Sequence, residues 1–315
     1  MQYNMLGKTG IAVSRLCFGA LTIGPLQARL PLTEGAGVIR AALEAGVNFI
    51  DTAELYRTYP YIREAVRGLS KEVVICSKCY AYTRAGMKQS LNQALAELDR
   101  DYIDIFMLHE QESILTLKGH WEAFEYLLEA KRRGVVRAVG ISTHHVGGVL
   151  AAAAIPEIDV IHPLINIAGI GIRGGTREDM LAAISTASAA GKGIYAMKAL
   201  GGGNLLKNAE EALRYVLSIP EITSVAVGMS TIQEVEYNTR FFSGRQVSDL
   251  LKSTVRRQPR RLHIEDWCAG CGQCVQRCAS GALSLTGGKA AADQSLCVLC
   301  GYCGSVCPDF CIKVI

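Results

Sequence analysis

Eight short apolar runs, each followed by an amphipathic stretch, limit this chain to very few folds. They are Leu16 to Phe18, Val47 to Asp51, Val73 to Lys78, Ile103 to His109, Val135 to Ser142, Val160 to Ile165, Ile194 to Lys198 and Val225 to Gly228. The intervening segments read as helices. Arg84 to Leu98 carries Leu91, Leu95 and Leu98 at helical spacing, and Trp121 to Ala130 precedes a stop at Gly134. Strand and helix in turn imply parallel pairing, because parallel strands need a long crossover. Eight such units over about 240 residues predict an α/β fold, a closed (β/α)8 TIM barrel of the usual size of about 250 residues. A doubly wound open sheet is the alternative that the pattern leaves open. Tyr3 to Val13, with GKTG as a turn, predicts a hairpin plugging the barrel floor.

Polar residues that end apolar runs are the candidates for chemistry, since the site of such a barrel lies at the C-terminal ends of its strands. Asp51 follows VNFI, Lys78 follows VVICS, His109 follows IDIFML and Ser142 follows RAVGI, while Tyr56 lies just past Asp51 in TAELY. Singly, each has a structural explanation: a cap, a solvated strand end, a core histidine, a packed loop tyrosine. Together they bring an acid, a base and an imidazole to one rim from three successive strands. A phenol with a pKa near 10 is a poor acid at neutral pH, and a neighbouring ammonium lowers that value. Lys78 is expected to supply it, Asp51 to hold Lys78, and His109 to orient a carbonyl oxygen toward Tyr56 as proton donor.

These motifs resemble those of the aldo-keto reductase family. GKTGIAVSRLCFGA is similar to that family's opening and DTAELY to its Asp/Tyr signature, and the strand ends at Lys78 and His109 complete its tetrad over roughly residues 1 to 240. The resemblance implies Tyr56 as proton donor, Lys78 and Asp51 as its modulators, His109 as the carbonyl-orienting residue, and a small carbonyl or alcohol as substrate. It also implies a nicotinamide cofactor, NAD(P)H, held by Ser142, Thr143 and His162 at the carboxamide. Met197, followed by Lys198, takes the place of the stacking aromatic. The phosphate segment GMSTIQEVEYN offers Gly228, Ser230, Glu234 and Asn238. The family's basic residue for a 2′-phosphate falls at Glu234. Two readings are open there: an acceptor for a ribose hydroxyl, favouring NADH, or a solvated first-turn helix residue.

Of twelve cysteines, nine lie in the last 54 residues. Cys268, Cys271, Cys274 and Cys278 form C-x2-C-x2-C-x3-C, and Cys297, Cys300, Cys303 and Cys307 repeat it. This spacing matches the bacterial two-cluster ferredoxin, in which the fourth cysteine of each run serves the other cluster. Cys268, Cys271, Cys274 and Cys307 are therefore assigned to one 4Fe-4S centre, and Cys297, Cys300, Cys303 and Cys278 to the second. Zinc needs neither the third nor the fourth cysteine of each run. Ala279 stands where the pattern has proline after Cys278, which affects turn stiffness and not ligation. Cys17 and Cys311 read as packed thiols, Cys76 as part of the barrel wall, and Cys79 as lying near the site's mouth.

The expected organisation is a barrel over residues 1–245, a basic linker over 246–261 and a small α+β iron-sulfur ferredoxin domain over 262–315. Net charge is +4, with seven Lys/Arg against one acid between Arg240 and Arg261. That stretch has three readings: cations that raise cluster potentials, a solvated face, or a dock for an acidic one-electron redox partner protein. A surplus so local argues against nucleic-acid binding. Without a run of eighteen apolar residues or a charged, apolar leader, the reading is cytoplasmic with no membrane partner. Two functions compete. One is an oxidoreductase that couples carbonyl chemistry to electron transfer through its clusters. The other is an electron-transfer protein whose barrel has lost hydride chemistry and serves as a docking scaffold. No flavin motif is found to convert hydride pairs into single electrons, so the clusters are expected to use an external one-electron partner.

Overall fold

Side chains alternate in and out along each apolar run, and this alternation closes the sheet. In the computed structural model, which describes all 315 residues, β1 (Tyr3–Met5) and β2 (Ala12–Ser14) form an antiparallel hairpin. Eight parallel strands follow: β3 (Leu16–Gly19), β4 (Phe49–Asp51), β5 (Val74–Cys79), β6 (Ile103–Leu108), β7 (Val136–Thr143), β8 (Val160–Pro163), β9 (Gly193–Ala196) and β10 (Ser224–Gly228). They make a closed barrel in sequence order, with β10 paired to β3. The open-sheet alternative is thereby excluded, because no barrel strand has a free edge.

One face of each strand points to the axis. Phe49, Val74, Cys76, Ile105, Met107, Ala138, Val160 and Tyr195 form an inner core, joined by Leu6, Ile11 and Val13 of the hairpin, which plugs the floor. The other face, with Ile50, Ile75, Phe106, Val139 and Ile161, packs under the helical shell in one large cluster. The helix Arg84–Leu98 has the expected bounds, and that beginning at Trp121 runs on to Arg132. Cys79 belongs to the outer face, buried with its Sγ 3.5 Å from Met87 Sδ. This corrects its expected place at the site's mouth: Lys78 takes the inward position, so its neighbour must point out.

The basic linker is structured. Ser248 caps a helix over Asp249–Arg256, whose Leu251 packs with Val247 and Tyr237 while Lys252 pairs with Glu210 at 2.9 Å. Beyond it, β11 (Leu262–Ile264) pairs antiparallel with β14 (Ile312–Val314), and β12 (Leu283–Thr286) with β13 (Lys289–Ala292). Two short helices, Gln273–Arg277 and Tyr302–Ser305, each follow a left-handed glycine, Gly272 and Gly301, inside matching Cys-Gly-x-Cys turns. The cysteine repeat is thus a repeat of backbone as well as of sequence.

This C-terminal segment sits on the barrel rim. Phe310 is buried with Leu164, Ile170 and Met197, Arg173 pairs with Asp309 at 3.2 Å, and Asn204 Nδ2 donates to the Ile312 carbonyl. Gly203, with φ +89°, lies so close to Val314 that any Cβ there would overlap its carbonyl. No helix is long and apolar enough to cross a membrane.

Candidate functional site

Inward alternation lifts Asp51, Lys78, Ser142 and His162 to the upper rim on neighbouring strands, with His109 immediately past β6. Lys78, 1% exposed, places Nζ 2.9 and 3.0 Å from the two oxygens of Asp51 and 2.7 Å from the Thr52 carbonyl. Burial is the largest single influence and works against the Lys78 ammonium, yet the charge and hydrogen bond of Asp51, together with Tyr56 and Cys76, outweigh it and raise the lysine above its ordinary range. Burial likewise disfavours the Asp51 anion, and Lys78 reverses this, with help from His162, so Asp51 sits below the usual carboxylate value. Both groups are charged at neutral pH.

Tyr56 arrives from the short turn Glu54–Tyr56, its ring centroid 5.1 Å from Lys78 Nζ and 5.8 Å, edge-on, from the ring of His109. The ammonium does lower the phenol, but desolvation is the larger effect and leaves Tyr56 at about 12. The expectation of a net depression is corrected for the protein without cofactor or substrate. His109 is buried, stacked on Tyr80 at 4.4 Å, and its Nδ1 has no partner. Burial, followed by the nearby Lys78, holds its pKa well below the ordinary histidine value, so the imidazole is neutral.

A cavity of about 540 Å³ opens beside this group, within the range of small-molecule sites. It runs from Asp51, Tyr56 and His162 past Met197 and Lys198 to Gly228, Ser230 and Glu234. Lys78 and His109 stand behind its wall. The volume and the mixed polar and apolar wall fit a nicotinamide dinucleotide, but several expected contacts are engaged elsewhere. Ser142 Oγ accepts from the Glu110 amide, Thr143 Oγ1 from the His145 amide, and Asn238 Nδ2 donates to the Glu234 carbonyl. None of these three side chains lines the cavity. His162 stacks on Tyr195 at 3.8 Å, with Nδ1 against the Tyr195 carbonyl and Nε2 3.6 Å from Asp51. Glu234, expected to meet ribose or solvent, accepts from Ser230 N and Oγ and from Arg260 Nη2 at 2.7 Å. Arg260 is therefore committed to the barrel, not free for an external partner.

Sequence reasoning missed Tyr195, whose hydroxyl donates to Asp51 Oδ1 at 2.7 Å and lies 3.0 Å from Cys76 Sγ. Its signal was available: Tyr195 is inward by the same alternation that places Met197.

The cysteines gather around two further small cavities. Cys268, Cys271, Cys274 and Cys307 line one, with Cys311 beside them; Cys278, Cys297, Cys300 and Cys303 line the other. No group of three or more His, Cys, Asp or Glu converges on a single point where one ion would bind. A cubane cluster requires a different arrangement, four thiolates around a shared volume, each on its own iron. The two sets fit that requirement, and each draws its fourth cysteine from the other repeat.

The chain matches the Aldo/keto reductase family over residues 15–212. It belongs to the aldo/keto reductase family. L-galactose dehydrogenase of Arabidopsis thaliana is 25% identical over 283 residues, covering 76% of this chain and 87% of that protein. The uncharacterized oxidoreductase YqkF of Bacillus subtilis is 22% identical over 294 residues, covering 79% and 94%. In fold, this aldo/keto reductase is similar to the holo form of AKR11C1 from Bacillus halodurans, with a TM-score of 0.66 and 22% identity, covering 82% of this chain and 96% of that one. The family and its relatives make the chain an oxidoreductase.

Proposed function

We propose that this aldo/keto reductase interconverts a small carbonyl compound and its alcohol at Tyr56, and exchanges single electrons through two 4Fe-4S clusters in its C-terminal segment. The observation that carries the first half is Lys78, clamped by Asp51 and placed 5.1 Å from the Tyr56 ring beside a neutral His109. Tyr56 is the only one of these groups that both lines the cavity and carries a transferable proton at neutral pH beside a fixed cation. In reduction Tyr56 gives its proton to the substrate oxygen, and Lys78 stabilises the phenolate that remains. His109, neutral and able to donate, orients that oxygen once substrate displaces packing on its side of the wall. A bound nicotinamide supplies or receives the hydride, and a bound cluster supplies or receives one electron.

Met197, Ser230 and Gly228 would flank the dinucleotide, NAD(P)H. Cys268, Cys271, Cys274 and Cys307 would hold one cluster, and Cys278, Cys297, Cys300 and Cys303 the other. The crossed sets support a ferredoxin-like unit over residues 262–315 following a barrel over 1–245. A hydride carries two electrons and a cubane accepts one, so the clusters communicate with a one-electron partner protein and not with nicotinamide directly. The test is anaerobic purification with iron and sulfide analysis, then stopped-flow mixing with NADH or NADPH. Two cubane clusters, carbonyl turnover and slow cluster bleaching by nicotinamide alone are expected. Absence of clusters, or no turnover of any aldehyde or ketone, would overturn the corresponding half.

A further inference from the structure

Family membership accounts for the barrel side of the large cavity but not for its outer wall. That wall is built by residues beyond the barrel: Gln258, Pro259, Arg260 and Arg261 of the linker, with Val314 from the last strand. Gln258 Nε2 donates to Thr231 Oγ1 at 2.6 Å, and Arg260 Nη2 to Glu234 Oε1 at 2.7 Å, so the linker is fastened across the loop that follows β10. The backbone of Arg261 pairs in both directions with Ile315, which ties the linker to the C-terminal segment.

The charges at this end of the cavity decide what it can hold. Glu234 is buried, and its two oxygens already accept three hydrogen bonds, from Ser230 N, Ser230 Oγ and Arg260 Nη2. A carboxylate offers about four acceptor positions. Glu234 is nearly saturated, its charge is matched by Arg260, and Arg261, in no side-chain ion pair, adds a cation to the same wall. A guanidinium has five donors, and Arg260 spends one on Glu234. The rest of that fork, with Arg261, suits the oxygens of a phosphate group.

We propose, on the reading that this cavity takes a nicotinamide dinucleotide, that the linker residues Arg260 and Arg261 hold the additional phosphate of NADP(H). The dinucleotide is then clamped between barrel and C-terminal segment. The chain's specificity for a phosphorylated cofactor comes from outside the barrel and runs opposite to the NADH-favouring reading of Glu234.

Calorimetric titration of the full-length protein with NADPH, NADH and adenosine 2′,5′-bisphosphate tests this. NADPH is expected to bind on the order of tenfold tighter than NADH, the size of one charge-assisted phosphate contact. Arg261→Ala should weaken NADPH and the bisphosphate by about tenfold and change NADH by less than about threefold. Arg260→Ala leaves Glu234 without its cation, so the double variant Arg260→Ala/Glu234→Gln is the cleaner comparison, with the same expected loss. Arg257→Ala, exposed and off the cavity wall, should change nothing. NADH binding as tightly as NADPH, or NADPH affinity unchanged in both Arg260 and Arg261 variants, would overturn the assignment while leaving the nicotinamide reading intact. Failure of both dinucleotides to bind would overturn both.

Discussion

Replacing Lys78 by Met should destabilise the barrel severely, and in a way whose pH dependence identifies the cause. Asp51 is 5% exposed and Lys78 1%, so removing the ammonium leaves a carboxylate in the barrel interior with only the Tyr195 hydroxyl at 2.7 Å and the neutral His162 at 3.6 Å. Breaking a buried pair in this way typically costs about 3–5 kcal/mol, most of it the penalty of the abandoned charge. The double variant Lys78→Met/Asp51→Asn removes both charges and should recover all but about 1 kcal/mol, the remainder being the Thr52 carbonyl that loses its donor.

The pH response should differ in sign between wild type and single variant. In the wild type the Asp51 pKa is depressed, so its contribution is present above the unfolded carboxylate value near 4 and is lost as pH falls through the folded value. In Lys78→Met burial outweighs what the Tyr195 hydroxyl and His162 still contribute, the folded pKa rises above the unfolded one, and stability increases as pH falls from neutrality. Urea unfolding followed by far-ultraviolet circular dichroism, under anaerobic conditions at several pH values, reads both effects. A single variant within about 1 kcal/mol of wild type, or one with the wild-type pH slope, would refute the buried-pair reasoning.

Tyr56→Phe should lower carbonyl reduction by about 10²- to 10⁴-fold and leave dinucleotide affinity unchanged, as read by steady-state kinetics and titration. With Tyr56 near 12, reduction should show no loss from this group between about pH 6 and 9, whereas a fall centred in that interval would assign the proton to another residue. Iron should approach about eight atoms per chain, and Cys278→Ala should remove the cluster held with Cys297, Cys300 and Cys303; loss of the other cluster would refute the crossed assignment. Phe310→Ala should weaken the seating of the C-terminal segment by about 3–5 kcal/mol, seen as its release to protease before the barrel unfolds.

What could be read in the sequence, and what could not, follows from how local each signal is. The eight strands were legible because a two-residue alternation and a terminating polar residue lie within a few positions of each other, and the same alternation placed Asp51, Lys78 and His109 on one rim. It failed at Cys79 only because the residue next to an inward lysine has to face outward, which periodicity states as clearly once Lys78 is fixed. Ser142, Thr143 and Asn238 were harder to place. Ser142 and Thr143 end β7 and Asn238 lies in the helix Ile232–Phe242, yet each engages a nearby backbone group, of Glu110, His145 or Glu234, as short polar side chains readily do.

Glu234 and Arg260 were not legible at all as a pair, since 26 residues and an intervening helix separate them. Read alone, the glutamate left open a ribose acceptor or a solvated helix residue, and the arginines left open cations for the clusters, a solvated face or a dock for an external partner. Brought within 2.7 Å, they neutralise each other and close a cavity that neither segment forms by itself. The same holds for Phe310 on Met197: where a stacking aromatic was missed on the barrel strand, an aromatic from the C-terminal segment packs against the residue that replaced it. The cavity beside Tyr56, not the closed barrel, is therefore incomplete without the segment that follows it, and changes to the linker should alter that cavity first.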